Sequence, residues 1–198
     1  MSIEERIDVI GKRLKIIKRR LIEDNFQFDY EDEVFPGPGP DIVEAIHRIE
    51  NEVGIVPLSL KLFWQRIGSV NFCGGHPDWE FDPGCEPETY ADPIVIYPPS
   101  VAIEELEEFL SDKEERLRCN LPYVVPIAPD FYHKADVSGG MFYNISIPAI
   151  TDDPPLNEEW HQTTFLNYLE IAVKWAGFLG LERYPNHTWP IAKLVQGL

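Results

Sequence analysis

The sequence predicts an α+β fold, an antiparallel β-sheet flanked by helices, with an additional helix at the N-terminus. Three observations carry the prediction. Apolar residues recur at helical spacing in several segments, and short stretches rich in β-forming residues come in separated pairs bounded by turn residues. Eighteen prolines and thirteen glycines in 198 residues demand more turns than a helical bundle uses. Strands and helices do not alternate regularly, which argues against a doubly wound parallel sheet. A hydrophobic fraction of 44% is enough to fill a core.

The elements follow in order. Residues 1–24 predict a helix, because Ile3, Ile7, Ile10, Leu14, Ile17 and Leu21 place one apolar seam along it. An acidic stretch and then Pro36, Gly37, Pro38, Gly39 and Pro40 end that pattern in a linker or a wrapped loop. Asp41 opens a second helix, with Glu44 three residues on as a capping box and Ile42, Ile46, Ile49 and Val53 on its apolar face. Pro57 begins a short third helix through Leu60, Phe63, Trp64 and Ile67, which Gly68 is placed to stop. Val70–Cys73 and Ile94–Tyr97 predict strands on either side of a polar loop. Ser100 is expected to cap an acidic helix reaching about Arg118. Val124–Ala128 and Met141–Ile147 are the clearest strands, with Gly139 and Gly140 as the turn before the second. Thr164–Trp175 is the last strong helix, stopped by Gly177.

Charge narrows the range of functions. With 34 acidic against 17 basic residues the chain carries −17. Residues 1–24 hold 7 basic and 5 acidic groups, so they contribute +2 and the other 174 residues carry −19. A body of that sign lacks the cationic surface that nucleic acid phosphates or an anionic membrane require. No run of 18 apolar residues occurs, and Glu4, Glu5 and Asp8 occupy the place of the basic region of a secretion signal, so the expected location is cytoplasmic. Three cysteines, Cys73, Cys85 and Cys119, are too few for a disulfide framework. The basic N-terminal helix is expected to dock on the acidic body; with fewer than four heptads it is short for an independent coiled coil, so the expected state is a monomer or weak homodimer.

Three blocks of residues carry a family resemblance. Glu52, Val53 and Gly54 lead through Val56 and Pro57 into Leu60, Lys61, Phe63, Trp64, Gly68 and Asn71. Pro122, Val124, Pro126, Ile127, Ala128, Pro129 and Asp130 then precede Met141–Ile147, and Thr164, Phe165, Tyr168 and Leu169 close the series. In this order they resemble the SUKH superfamily. The resemblance spans residues 40–178, leaving 1–39 as an N-terminal helix and linker and 179–198 as a tail packed on the domain. It implies a non-enzymatic protein-binding module. Bacterial members of the superfamily are commonly immunity proteins that neutralise toxins, many of them nucleases, and fungal members regulate cell-wall synthesis.

Two clusters have chemical potential. Cys73, His76 and Cys85 have spacing compatible with zinc, with only Cys119 or His133 as a conceivable fourth ligand, and ordinary loop and strand roles account for them better. Asp130, His133, Lys134, Asp136 and Ser138 gather a histidine, carboxylates and a hydroxyl, as a general base and nucleophile would need. Without a nucleophile turn they read instead as a loop capping its own amides, or as a recognition loop. A small hydrolase or metal-dependent enzyme using Asp130, His133 and Asp136 is the alternative function. No phosphate-binding glycine signature is present, and the tryptophans, Trp64, Trp79, Trp160, Trp175 and Trp189, are expected to pack and not to stack on bases. No cofactor is implied.

The remaining lead is the acidic surface, which would steer a basic toxin domain to stoichiometric binding. The carboxylates concentrate in the 104–115 helix, in the loop holding Asp78, Glu80, Asp82, Glu86, Glu88 and Asp92, and in Asp152, Asp153, Glu158 and Glu159. The candidate partner-binding residues are Asp78, Glu80, Asp82, Glu104, Glu105, Glu108, Asp130, His133 and Asp136.

Overall fold

A computed structural model describes residues 1–79, 91–135, 137–184 and 186–198. The fold is α+β: helices pack around short antiparallel strand pairs. Helix α1 (Ile3–Glu23) is opened by a complete capping box, in which the Ser2 hydroxyl accepts from the Glu5 amide and the Glu5 carboxylate accepts from the Ser2 amide. Its seam of Ile7, Ile10, Leu14, Ile17 and Leu21 is buried. Each such side chain contributes roughly 1.5–3 kcal/mol. The seam belongs to the same core as Leu60, Phe63, Trp64, Phe165 and Leu169, so α1 is built into the body.

Helices α2 (Ile42–Val53) and α3 (Leu58–Arg66) follow a proline-glycine strap. Asp41 precedes α2 with φ −95° and ψ 7°, not the extended backbone that aims a side chain back at the helix amides, and it makes no side-chain cap hydrogen bond. The capping box predicted there therefore does not form. Gly68 ends the α3 turn at φ +89°, and a Cβ on it would lie 2.2 Å from the Gly37 carbonyl oxygen. Only glycine meets both demands, and the strap lies directly against it.

Among the described residues the strands form three antiparallel pairs: β1 (Gln27–Phe28) with β3 (Gly74–Gly75), β2 (Val70–Asn71) with β4 (Val95–Ile96), and β5 (Val124–Ala128) with β6 (Tyr143–Ser146). The Tyr97 amide donates to the Ile127 carbonyl at 2.8 Å, which ties the second pair to the third. Pro126 cannot donate to the ladder, and the register shifts between Pro126 and Ala128 as in a bulge.

The acidic helix differs from expectation at both ends. It begins at Pro99, with Pro98 in the N-cap position, because proline suits the first turn and needs no amide partner there. Ser100 is therefore inside helix α4 (Pro99–Ser111) and not its cap. Asp112 breaks the run, and α5 (Lys113–Arg118) is a separate helix. Helix α6 (Phe165–Lys174) is capped by Thr164, and the Asp153 carboxylate accepts from the Leu166 amide at 2.9 Å. Asp153 is thus a capping group and not part of a solvated acidic patch. A 3-10 turn (Leu179–Arg183) and α7 (Ile191–Leu194) complete the chain, and Arg20 of α1 donates to the Leu194 carbonyl at 2.7 Å.

Candidate functional site

The candidate residues fall on two concave surfaces. The first is a groove of about 850 Å3 between the α4–α5 region and β6. Glu105 and Glu108 from α4 line it together with Glu158 and Glu159 from the loop before α6, and Arg116 is the one basic residue among the described residues that line it. Arg116 pairs with Glu105 at 3.4 Å. Burial pushes the Glu105 carboxyl up from its ordinary value, and the neighbouring Arg116 only partly opposes this. Leu121 and Met141, 56% and 60% exposed, give the same groove apolar surface. The groove is acidic and apolar at once, which is the composition that recognises a basic protein surface.

Within this groove Glu159 departs from expectation. It is buried, its carboxylate accepting from the His161 amide at 2.9 Å and from the His161 ring at 2.5 Å. On its other side His161 lies 3.4 Å from Glu182, whose second oxygen accepts from the Trp175 indole at 2.9 Å. Glu159 therefore holds the loop together, and the solvent-facing carboxylate is its neighbour Glu158. Glu104 lies outside the groove on the exposed side of α4.

The second surface is a hollow of about 820 Å3, lined in part by Cys73, His76, Trp79, His133 and Lys134. It brings Cys73 and His76 of one cluster beside His133 and Lys134 of the other, although Asp130 and Ser138 do not reach its wall. Asp130 is buried, accepts from the Tyr132 and His133 amides at 2.8 and 2.9 Å, and accepts from the His133 ring at 2.8 Å. Burial raises its pKa, but the His133 amide and ring and the Tyr132 amide outweigh that and hold it below the usual carboxylate value. Asp130 is therefore a turn-capping residue, and no partner can reach it directly. Gly139 is required beside it, since a Cβ there would meet the Tyr132 Cβ at 2.4 Å. His133 is half exposed, with its second ring nitrogen pointing away from this bond.

The cysteine and histidine of the first cluster that line the hollow are also committed. The Asp78 amide donates to His76 Nδ1 at 3.0 Å, so Nε2 carries the proton and donates to the Asp24 carbonyl at 2.7 Å. Neither ring nitrogen is left to ligate a metal. Burial pushes the Cys73 thiol up to about 11, which leaves little nucleophilic thiolate. Among the described residues no group of three or more His, Cys, Asp or Glu is arranged to hold a metal ion. Cys85, Glu80, Asp82, Glu86, Glu88 and Asp136 lie outside the described residues. Asp78 is exposed beside the hollow without lining it.

Sequence reasoning missed the buried ion pair under the hollow. Lys134 Nζ stands 2.6 Å from Asp92 Oδ1 with the two side chains 0% and 3% exposed. Asp92, read from sequence as one more surface acid, is instead a core counter-ion. The partners are 42 residues apart, and no local pattern announces them.

No family model, curated protein or solved structure matches the chain. No helix among the described residues is long and apolar enough to cross a membrane.

Proposed function

We propose that the chain is a protein-binding module of the SUKH type, an immunity protein that neutralises a basic toxin domain, such as a nuclease, by stoichiometric binding. The observation that carries this reading is the groove in which Glu105 and Glu108 join Glu158 and the exposed Leu121 and Met141. A cationic phosphate-binding cleft would be steered to such a surface by its charge and held there by the apolar contact. The growth of cells expressing a basic nuclease toxin domain that the chain binds tests the reading. Co-expression of the chain should restore growth, the double charge reversal of Glu108→Lys with Glu158→Lys should abolish the rescue, and the association rate should fall steeply as salt rises. An association rate indifferent to ionic strength would remove charge steering from the mechanism.

One observation favours a second reading, a small hydrolase built on the hollow, because the Asp130–His133 pair holds an oriented imidazole at its edge. It requires His133→Ala to abolish turnover of some ester or amide substrate while the fold is retained.

A further inference from the structure

The hollow differs from the groove in one respect that matters for small ligands. Tyr30, Trp79 and Tyr97 line it with aromatic rings, and the Asp29 and Glu33 carboxylates stand on the same walls. Tyr30 is 55% exposed, so its ring is not consumed by core packing. Asp29 and Glu33 are exposed as well.

Charges of both signs act on the floor of the hollow, with Lys134 the largest single one at Cys73. At Cys73, after burial, Lys134 favours the thiolate whereas Asp29, Asp92 and Glu33 all oppose it. The Lys134 ammonium does not act as a lone cation toward a guest, because Asp92 sits 2.6 Å from it in the interior. An anionic guest would face the two wall carboxylates and a body of −19. A cation would meet the exposed Tyr30 ring, which attracts it through the ring quadrupole, and the Asp29 and Glu33 carboxylates, whereas Trp79 is already stacked on His76 at 4.3 Å and packed against Trp189. A volume of about 820 Å3 suits a ligand of small-molecule size.

We propose that this hollow binds an organic cation, an alkylammonium or a guanidinium, between Tyr30 and Tyr97 with Asp29 and Glu33 as counter-charges. The group is either a free small molecule or an arginine or lysine side chain of a protein partner. The site is distinct from the acidic groove, which shares none of these four residues.

Titration of the full chain, followed by tryptophan fluorescence and calorimetry at constant ionic strength, tests it. The probes are choline, capped arginine amide, an arginine- or lysine-containing peptide, and the neutral tert-butyl isostere of choline. Saturable binding of at least one cation is expected, with none of the neutral isostere, and Asp29→Asn and Tyr30→Ala should each weaken it about tenfold. Both positions are exposed, so unchanged thermal melting will show that the variants keep the fold. Preference for choline assigns an alkylammonium guest and preference for capped arginine a guanidinium, and tighter binding of an arginine- or lysine-containing peptide than of either small cation assigns a partner side chain. The proposal is overturned if neither cation saturates, if the neutral isostere binds equally well, or if both variants retain the native affinity. Such a failure leaves the groove reading intact, because neither Asp29 nor Tyr30 belongs to the groove.

Discussion

Helix α1 and the α4–α5 stretch are both charged amphipathic segments, and they use their charges in opposite ways. On α1, Arg6 bonds Glu170 at 2.8 Å, Asp8 and Glu4 both hold Arg66, and Arg20 reaches the Leu194 carbonyl. Just beyond its end, Asp24 pairs with Lys193 at 2.5 Å. Both ends of the helix are thus stitched to distant parts of the chain. On α4, Glu107 pairs with Arg48 and Glu105 with Arg116, but Glu104 and Glu108 have no ion-pair partner among the described residues. Exposed ion pairs are individually worth about 0–1 kcal/mol, so the difference is less in stability than in availability. Charge that is shared with neighbours is architectural, and charge that is unshared remains open to a partner.

The comparison is tested most severely at the α1 seam. Leu14→Ala removes a fully buried side chain and should cost about 2–5 kcal/mol in denaturant unfolding. If it instead left the midpoint unchanged, α1 would be an appendage and not part of the core. A committed carboxylate comes next. Asp130→Asn should cost about 1–2 kcal/mol at neutral pH by weakening charge-assisted bonds to the His133 and Tyr132 amides. Because the folded Asp130 pKa lies below its ordinary value, its contribution is present above about pH 4 and is lost as pH falls through the depressed value. Acid titration of stability should therefore show a steeper low-pH limb in the native chain than in Asp130→Asn.

Ser2→Ala removes one half of the capping box and should lower stability by about 1 kcal/mol, measured by thermal and chemical unfolding. The smallest effect belongs to the open acids. Glu104→Gln combined with Glu108→Gln should leave the stability of the isolated protein within about 0.5 kcal/mol. A larger loss would show that these carboxylates are structural after all.

What the sequence revealed and what it concealed divide along the same line of local against distant. Helical seams such as Ile7, Ile10, Leu14, Ile17 and Leu21 are legible because a single periodicity puts them all on one face, and α6 is legible with its Thr164 cap. Spacing alone misjudged the caps. Asp41 and Glu44 have the box spacing, but the backbone at Asp41 is turned the wrong way, whereas Ser2 and Glu5 form the box and drew no prediction. The pairing of Gln27–Phe28 with two glycines carries no alternation to read. Of the site, the acidity of α4 was legible. The distant meetings were not: Glu108 with Glu158 in one groove, or Lys134 with Asp92 in the core, depend on the fold alone.

The groove's acids come from segments 50 residues apart, at Glu108 and Glu158. Neither segment carries the recognition surface by itself. A linear peptide copied from α4, or from the loop before α6, would present half of the carboxylates and none of their relative placement. Mimics of this surface must therefore be conformational, and anything that unfolds the chain will erase the groove before any one of its residues is lost.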